Sequence, residues 1–226
     1  MYFDTSILIL LPAILFALWA QFRVKNTYAQ YSKEFASLTG AEAARMVLEM
    51  NGVNDVTIEP VAGELTDHFD PKTNTIRLSK GVYDVTSVAA VGIAAHEAGH
   101  AVQYAVGYSP IKLRTAIIPV TQIGSTLSWP LLLIGLALGN QLLATAGVVL
   151  FCAVVLFQLV TLPVEFNASN RALDTLGASG YLQEEQLSGA GKVLRAAAMT
   201  YVAALAQALA QLLRLLLLAN RSNRRR

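Results

Sequence analysis

At residues 94–102 the chain reads Ala94-Ala95-His96-Glu97-Ala98-Gly99-His100-Ala101-Val102. Residues four apart on an α-helix lie on one face, so His96 and His100 can present two imidazole nitrogens to one metal ion. Glu97 flanks this pair and can accept a proton from a water on the metal, as in the His-Glu-x-x-His helices of zinc hydrolases. The pentad therefore predicts a Zn²⁺ site, with both histidines as ligands and Glu97 as general base.

Two histidines on one helix can instead be ordinary core residues whose rings are hydrogen-bonded. In this segment, however, three ionisable groups fall within an alanine-rich, apolar run. Burying such groups without partners costs several kcal/mol each, and metal ligation removes that cost. We therefore favour the zinc interpretation.

The composition is that of a membrane protein, because 54% of the 226 residues are hydrophobic and only 14% are charged. The net charge is +2, and the only dense basic run is the extreme tail, Arg221 and Arg224 to Arg226. This distribution does not predict binding to nucleic acid. The single cysteine, Cys152, rules out an intrachain disulfide and a zinc site built from cysteines.

The N-terminal apolar run, Thr5 to Phe22, has about the length that spans a bilayer. Asp4 precedes this run, and Arg23 and Lys25 follow it. A cleaved secretory signal carries its positive charge before the apolar run, so we expect an uncleaved anchor. The positive-inside rule places the N-terminus outside and the following region in the cytoplasm.

The next region is soluble in character and predicts a small α+β fold. Thr39-Gly40-Ala41-Glu42 is a capping box at the start of an amphipathic helix. Apolar and polar residues alternate at 55–60 and 74–79, which predicts a small antiparallel sheet. Thr86 or Ser87 is in position to cap the helix that carries the pentad.

A transmembrane hairpin is predicted next, from two apolar segments at 116–138 and 142–162. Pro163 follows directly and is typical of a helix start, which would put Glu165 in the first turn. Because a hairpin crosses the bilayer twice, it returns Glu165 to the side of the histidines. Spacing alone leaves several candidates for the third ligand: Glu165, Asp174, Glu184, Glu185 and His68.

The last apolar segment, Val193 to Ala219, is long enough to span a bilayer. One face carries polar residues at helical spacing, which predicts packing against other helices: Thr200, Gln207, Gln211 and Arg214. A full crossing would leave the basic tail outside, against the positive-inside rule, whereas an interfacial course would keep the tail inside. Length and apolarity favour the crossing.

Four sequence blocks together resemble the YugP-like family of bacterial membrane zinc metallopeptidases, and the likeness runs from the anchor to the last apolar segment. The blocks are Thr66-Asp67-His68-Phe69-Asp70-Pro71, Ile76-Arg77-Leu78-Ser79, Ala94 to Gln103, and Leu162-Pro163-Val164-Glu165-Phe166. The pattern is also similar to gluzincin metallopeptidases, whose third zinc ligand is a downstream Glu. This resemblance implies that Glu165 is the third ligand.

One position departs from the resembling families, many of which carry an Asp four residues after the ligand Glu, where it braces a ligand His. Here that residue is Ser169, so Asn167, Asn170 or a backbone carbonyl are the alternatives for this support.

The sequence does not rank the possible hydrogen-bond donors to an oxyanion, which are His68, Tyr83, Tyr104, Tyr108 and Tyr181. By analogy, strand 74–79 is a candidate edge for an extended substrate. Arg171 is more typical of a solvent-facing residue than of a partner for the ligand Glu.

We therefore expect a mainly α integral membrane protein, with about four membrane helices and a small α+β gluzincin-like region at the cytoplasmic surface of the cell membrane. The expected parts are an anchor (1–22), a soluble region (23–115), a hairpin (116–162), a helical segment with the third ligand (163–192) and a C-terminal helix with its tail (193–226). The expected function is zinc-dependent endopeptidase activity on membrane or membrane-associated proteins or peptides.

Two alternatives use the same residues. One is a membrane scaffold or chaperone-like protein whose zinc is structural, with His68 as a possible fourth ligand. The other is a zinc hydrolase of a non-peptide substrate such as a lipid ester. Three good ligand candidates without an obvious fourth favour an open, catalytic site.

Overall fold

The computed structural model describes the backbone of residues 5–223 and the side chains of residues 6–220. Asp4 and the terminal arginines of the basic tail lie outside this part of the chain. A 3₁₀ segment, Thr5–Leu10, leads into six helices: α1 Leu11–Tyr31, α2 Gly40–Met50, α3 Val88–Ala105, α4 Ser109–Ala137, α5 Gln141–Ser179 and α6 Glu184–Asn223. The strands are β1 Thr57–Val61, β2 His68–Asp70 and β3 Thr75–Ser79. The expected mainly helical membrane fold with a small sheet is confirmed.

Among residues 6–220, four helices are long and apolar enough to cross a membrane: Ser6–Tyr31, Ser109–Ala137, Gln141–Ser179 and Glu184–Asn220. All four are longer than the apolar runs from which the sequence predicted them. The additional turns carry polar residues, including Glu165 in α5. Sequence hydropathy therefore predicts the apolar part of each helix but not the polar turns that extend it.

The described residues form two compact units. The first consists of residues 5–20, 112–162 and 200–223, which are segments of the four long helices. Its core packs α4, α5 and α6 around residues such as Leu132, Phe151 and Leu215. The polar stripe of α6 was predicted to pack against other helices, and the Arg214 guanidinium lies 5.3 Å from the ring centroid of Trp129.

The second unit, Gln21–Ile111 with Pro163–Met199, contains the sheet, α2, α3 and the histidine pentad. Its helix caps agree with the sequence. Thr39 and Glu42 form the capping box of α2, and the Ser87 hydroxyl accepts the Ala90 N–H at the start of α3. These caps satisfy backbone N–H groups that the first helical turn leaves without partners.

The sheet has the order β1-β3-β2, and the predicted antiparallel pairing of its first and last strands is wrong. β1 runs parallel to β3, with Ile58 opposite Ile76. The antiparallel neighbour of β3 is β2, whose three residues are too few to show alternation in the sequence. The Asp67 carboxylate accepts the Ser79 N–H at 2.7 Å and fixes the start of β2 against β3. β3 is therefore the central strand, and the expectation that it forms a substrate-binding edge is also wrong.

Helix α5 is continuous from Gln141 to Ser179, so the prediction that a helix starts at Pro163 is wrong. Proline lacks an N–H and cannot donate to the carbonyl of Leu159, four residues earlier. Long apolar helices tolerate such a proline because neighbouring groups can compensate for the missing bond. Glu165 consequently lies deep inside a 39-residue helix, where a helix N-terminus cannot stabilise its charge.

Candidate metal centre

The structure brings three of the predicted site residues together. His96 and His100 lie one turn apart on α3, and Glu165 approaches them from α5. The Glu165 Oε2 atom is 3.3 Å from His96 Nε2 and 3.6 Å from His100 Nε2. Ligand atoms of these three residues all lie within 4.8 Å of one another. Two imidazole nitrogens and one carboxylate oxygen are a donor set that suits Zn²⁺.

Close contact between α3 and α5 makes this convergence possible. Gly99 faces α5 so tightly that a Cβ atom added there would lie 2.5 Å from the carbonyl oxygen of Ala168. Ala168 follows Glu165 by three residues, about one helical turn. The glycine inside the pentad thus lets the histidine helix approach the helix that carries Glu165.

Glu165 and His100 are shielded from solvent, exposing 2% and 9% of their surface, and His96 is half-buried. Burial alone lowers the pKa of His100. The hydrogen bond that the protonated His100 ring donates to Glu165 and the negative charge of Glu97 outweigh burial, and they hold the pKa of His100 above its usual value. A buried carboxylate needs a positive partner, which is either a proton on His100 or a metal cation.

Each of the two candidate ligand histidines has a hydrogen-bond partner on its second ring nitrogen. His96 Nδ1 lies 3.1 Å from the hydroxyl oxygen of Ser169, and His100 Nδ1 lies 3.0 Å from Oε1 of Gln103. Such partners orient a ligand imidazole and fix which nitrogen carries the proton. Ser169, the apparent departure from the resembling families, therefore contacts a ligand histidine directly.

Gln103 is the residue that sequence reasoning missed. Gln103 lies three residues after His100 and so on the same face of α3. A polar residue at that position in an apolar helix was the available signal. Asn167, a sequence candidate, contacts Gln103 rather than a histidine, and Asn170 is exposed.

The predicted general base lies beside the sheet. The Phe69 N–H of β2 donates to Oε2 of Glu97 at 3.0 Å. The Phe69 ring packs at 5.5 Å against Tyr104, which is one turn beyond His100 on α3. β2 is thus the edge strand next to the pentad, and it directs one backbone donor at Glu97.

The remaining candidates are placed elsewhere. His68 is exposed, and its Nδ1 lies 2.7 Å from the carbonyl oxygen of Thr66. Arg171 donates from Nε to Oδ1 of Asn167, so it is not simply a solvent-facing residue. Within residues 5–223, the group of metal-ligating side chains contains His96, His100 and Glu165 and none of the rival ligands Asp174, Glu184, Glu185 and His68.

Comparison with known proteins gives a consistent result. Residues 6–220 match a protein family described as "Putative neutral zinc metallopeptidase". The chain is also 45% identical over 214 residues to the "Putative membrane protease YugP" of Bacillus subtilis (strain 168). The aligned residues cover 94% of this chain and 95% of that protein. No solved structure matches the chain. Because the family match includes both the pentad and Glu165, the chain belongs to this zinc metallopeptidase family.

Proposed function

We propose that this protein is a zinc-dependent endopeptidase of the membrane, with His96, His100 and Glu165 as metal ligands and Glu97 as general base. The observation that carries the proposal is the convergence of both His Nε2 atoms with Glu165 Oε2. Zinc held by such ligands polarises a carbonyl and lowers the pKa of water towards neutrality. This gluzincin-type ligand set supports hydrolysis rather than another metal chemistry.

The chain's own residues supply the rest of the reaction. Glu97 would take up a proton from the water that attacks the peptide carbonyl carbon, and it would deliver that proton to the amine released when the C–N bond breaks. The Phe69 N–H, 3.0 Å from Oε2, holds this carboxylate in one orientation beside the histidines. A base held in place in advance loses less entropy in the transition state than a freely rotating one.

The substrate class that fits best is an extended segment of a membrane or membrane-associated protein. β2 is an edge strand next to Glu97, and an extended peptide can add to such an edge through backbone hydrogen bonds. Four helices able to cross a bilayer keep the protein at the membrane, where such substrates are concentrated. Arg23 and Lys25 near the end of the first long apolar run favour the cytoplasmic membrane with the site on its cytoplasmic side.

A purely structural zinc site is less consistent with these contacts. Structural sites are normally closed by four protein ligands. His68, the residue that would close this one, is exposed and has its Nδ1 on the Thr66 carbonyl.

The decisive experiment compares Glu97→Gln with wild-type protein in otherwise identical membranes. Glu97→Gln is expected to retain zinc, because Glu97 is not a ligand, and to lose about 10²–10⁴-fold in cleavage rate. Zinc content is measured on the purified protein, and cleavage is measured by quantifying new peptide termini in the membrane proteome. Glu49→Gln changes an exposed carboxylate of α2 and is the matched control.

Unchanged proteolysis by Glu97→Gln would refute the mechanism. A lipid esterase would be identified instead if wild-type protein releases a fatty acid but no new peptide terminus, and if Glu97→Gln abolishes that release. The scaffold alternative would be supported if wild type and both variants retain zinc and none of them hydrolyses a peptide or a lipid ester.

A further inference from the structure

Gln103 is fully buried, with 0% of its surface exposed, and it contacts both halves of the candidate metal centre. We propose that Gln103 is a positioning residue, which selects the metal-binding tautomer of His100 and ties α3 to the segment of α5 that presents Glu165. The inference rests on the proposed function, because it concerns the same metal centre. Gln103 itself touches neither substrate nor metal in this proposal.

The orientation of the Gln103 amide follows from its partners on α5. Its Nε2 lies 2.8 Å from the carbonyl oxygen of Val164, which can only accept a hydrogen bond. The second contact of Nε2 is Asn167 Oδ1 at 3.0 Å. That Asn167 atom must be an oxygen, because it also accepts from Nε of Arg171 at 2.9 Å. Both amide hydrogens of Gln103 are therefore directed at α5.

This orientation determines the state of the His100 ring. With its nitrogen directed at α5, Gln103 presents Oε1 to His100 Nδ1 at 3.0 Å. An amide oxygen only accepts, so Nδ1 must carry the proton and donate. In the neutral ring the lone pair is then on Nε2, the atom 3.6 Å from Glu165 Oε2. A metal ligand nitrogen needs that lone pair, so Gln103 selects the tautomer that can bind the ion.

The same side chain also acts on the third ligand. Val164, whose carbonyl accepts from Gln103, is the residue immediately before Glu165. Gln103 therefore connects a ligand of α3 with the backbone that carries the ligand of α5. This connection matters because α5 is continuous around Glu165. No helix end is present there to fix the position of Glu165.

Packing alone does not explain a glutamine at this site. A buried amide costs free energy unless each of its groups is hydrogen-bonded, whereas an apolar side chain of similar size has no such requirement. Here one oxygen and two N–H groups all have partners, and one of those partners is a predicted metal ligand. The arrangement fits a residue that orients the centre.

The test uses Gln103→Met in the full-length protein in detergent or lipid nanodiscs. Methionine preserves length and flexibility but neither accepts strongly from Nδ1–H nor donates to α5. We expect zinc affinity, measured by competition with a chelator of known affinity, to fall about 10- to 100-fold. At a pH high enough for a neutral His100 ring, ¹⁵N spectra of the three histidines of the metal-free protein should show His100 protonated at Nδ1 in wild type and a tautomer mixture in Gln103→Met.

Asn51→Leu is the matched control, since Asn51 donates from Nδ2 to Thr175 Oγ1 and so bridges α2 to α5. Its removal should leave zinc affinity within about threefold of wild type and leave the His100 tautomer unchanged. A merely structural role for Gln103 would change the unfolding temperature of both variants and the tautomer of neither.

Gln103→Glu is a second variant, in case Gln103→Met does not fold. It keeps an oxygen for the Nδ1 proton, so the wild-type tautomer is expected to persist. Wild-type zinc affinity in Gln103→Met, or an unchanged tautomer in that variant, would overturn the inference. Failure of the wild-type protein itself to bind zinc would overturn the proposed function, and that outcome is visible before any Gln103 variant is compared.

Discussion

At the level of single residues, a proton and a metal ion compete for His100. Without metal, the hydrogen bond that His100 donates to Glu165 and the charge of Glu97 outweigh burial and raise the pKa of this imidazole. The folded state therefore binds this proton more tightly than the unfolded state does. The resulting stabilisation is fully present below the unfolded pKa, near 6.5, and is lost as pH rises through the raised folded pKa.

The metal-free protein is accordingly expected to lose stability as pH rises from the unfolded pKa, near 6.5, through the raised folded pKa of His100. Added zinc should stabilise the protein more at the higher pH, because the metal needs the unprotonated ring. Thermal unfolding of chelator-treated and zinc-loaded samples across this range measures both trends. The metal-free form of Glu165→Gln, which lacks the carboxylate that raises the pKa, should show a flatter profile. An equally steep profile in that variant would contradict the assignment to His100.

His68 distinguishes an open metal site from a closed one. His68→Ala should retain one zinc per chain, because this exposed ring contacts the Thr66 carbonyl rather than the three donors. Metal analysis of the purified variant is the measurement, with His96→Ala as the comparison that should lose the metal. Loss of zinc from His68→Ala would instead support a closed structural site.

Among the elements, the α3–α5 contact determines whether the metal donors can meet. Gly99 leaves no space for a side chain, since an added Cβ would lie 2.5 Å from a main-chain oxygen. Two backbones can relieve such a clash only by moving apart. Any separation moves Glu165 away from the histidines.

Gly99→Ala is therefore expected to destabilise the protein by about 1–3 kcal/mol and to weaken zinc binding. Gly92→Ala, on the same helix, is the control, because its Cβ would meet the Ala190 Cβ at 3.3 Å, a much milder contact. Chemical denaturation and chelator competition measure the two effects. Equal zinc affinities for the two variants would show that the close approach at Gly99 does not position Glu165.

Sequence patterns predicted the helices better than the sheet, for physical reasons. The caps at Thr39 and Ser87 are local, so they can be read from a few adjacent residues. The parallel pairing of β1 with β3 depends on β2, a strand of three residues that carries no readable period. Pro163 was misread because a proline has the same local signal at a helix start and inside a long helix whose neighbours compensate for it.

For the whole molecule, the course of the last helix decides on which side of the membrane the C-terminus lies. α6 is one continuous helix, and Glu184–Asn220 is long and apolar enough to cross a bilayer. With an external N-terminus and four crossings, the C-terminus is expected outside the cytoplasm. Alkaline phosphatase fused to the C-terminus should be active, and a fluorescent protein fused there should be dark. The reverse result would mean that α6 does not cross.

The candidate site could be predicted in part from the sequence. His96, Glu97 and His100 are encoded within five consecutive residues, so a local pattern suffices to find them. Glu165 is 65 residues beyond His100, and family resemblance was needed to choose it among several acidic residues. The Gln103 contact with Val164 joins two distant helices through one side chain, and no periodicity records such a contact.

The hydrogen bond between Phe69 and Glu97 has a consequence for how this protein can diversify. The donor is a main-chain N–H, which every residue except proline possesses. Substitutions at position 69 can therefore remodel the aromatic contact with Tyr104 while leaving the orientation of Glu97 intact. The aromatic contact and the orientation of Glu97 can therefore change independently of each other at this one position.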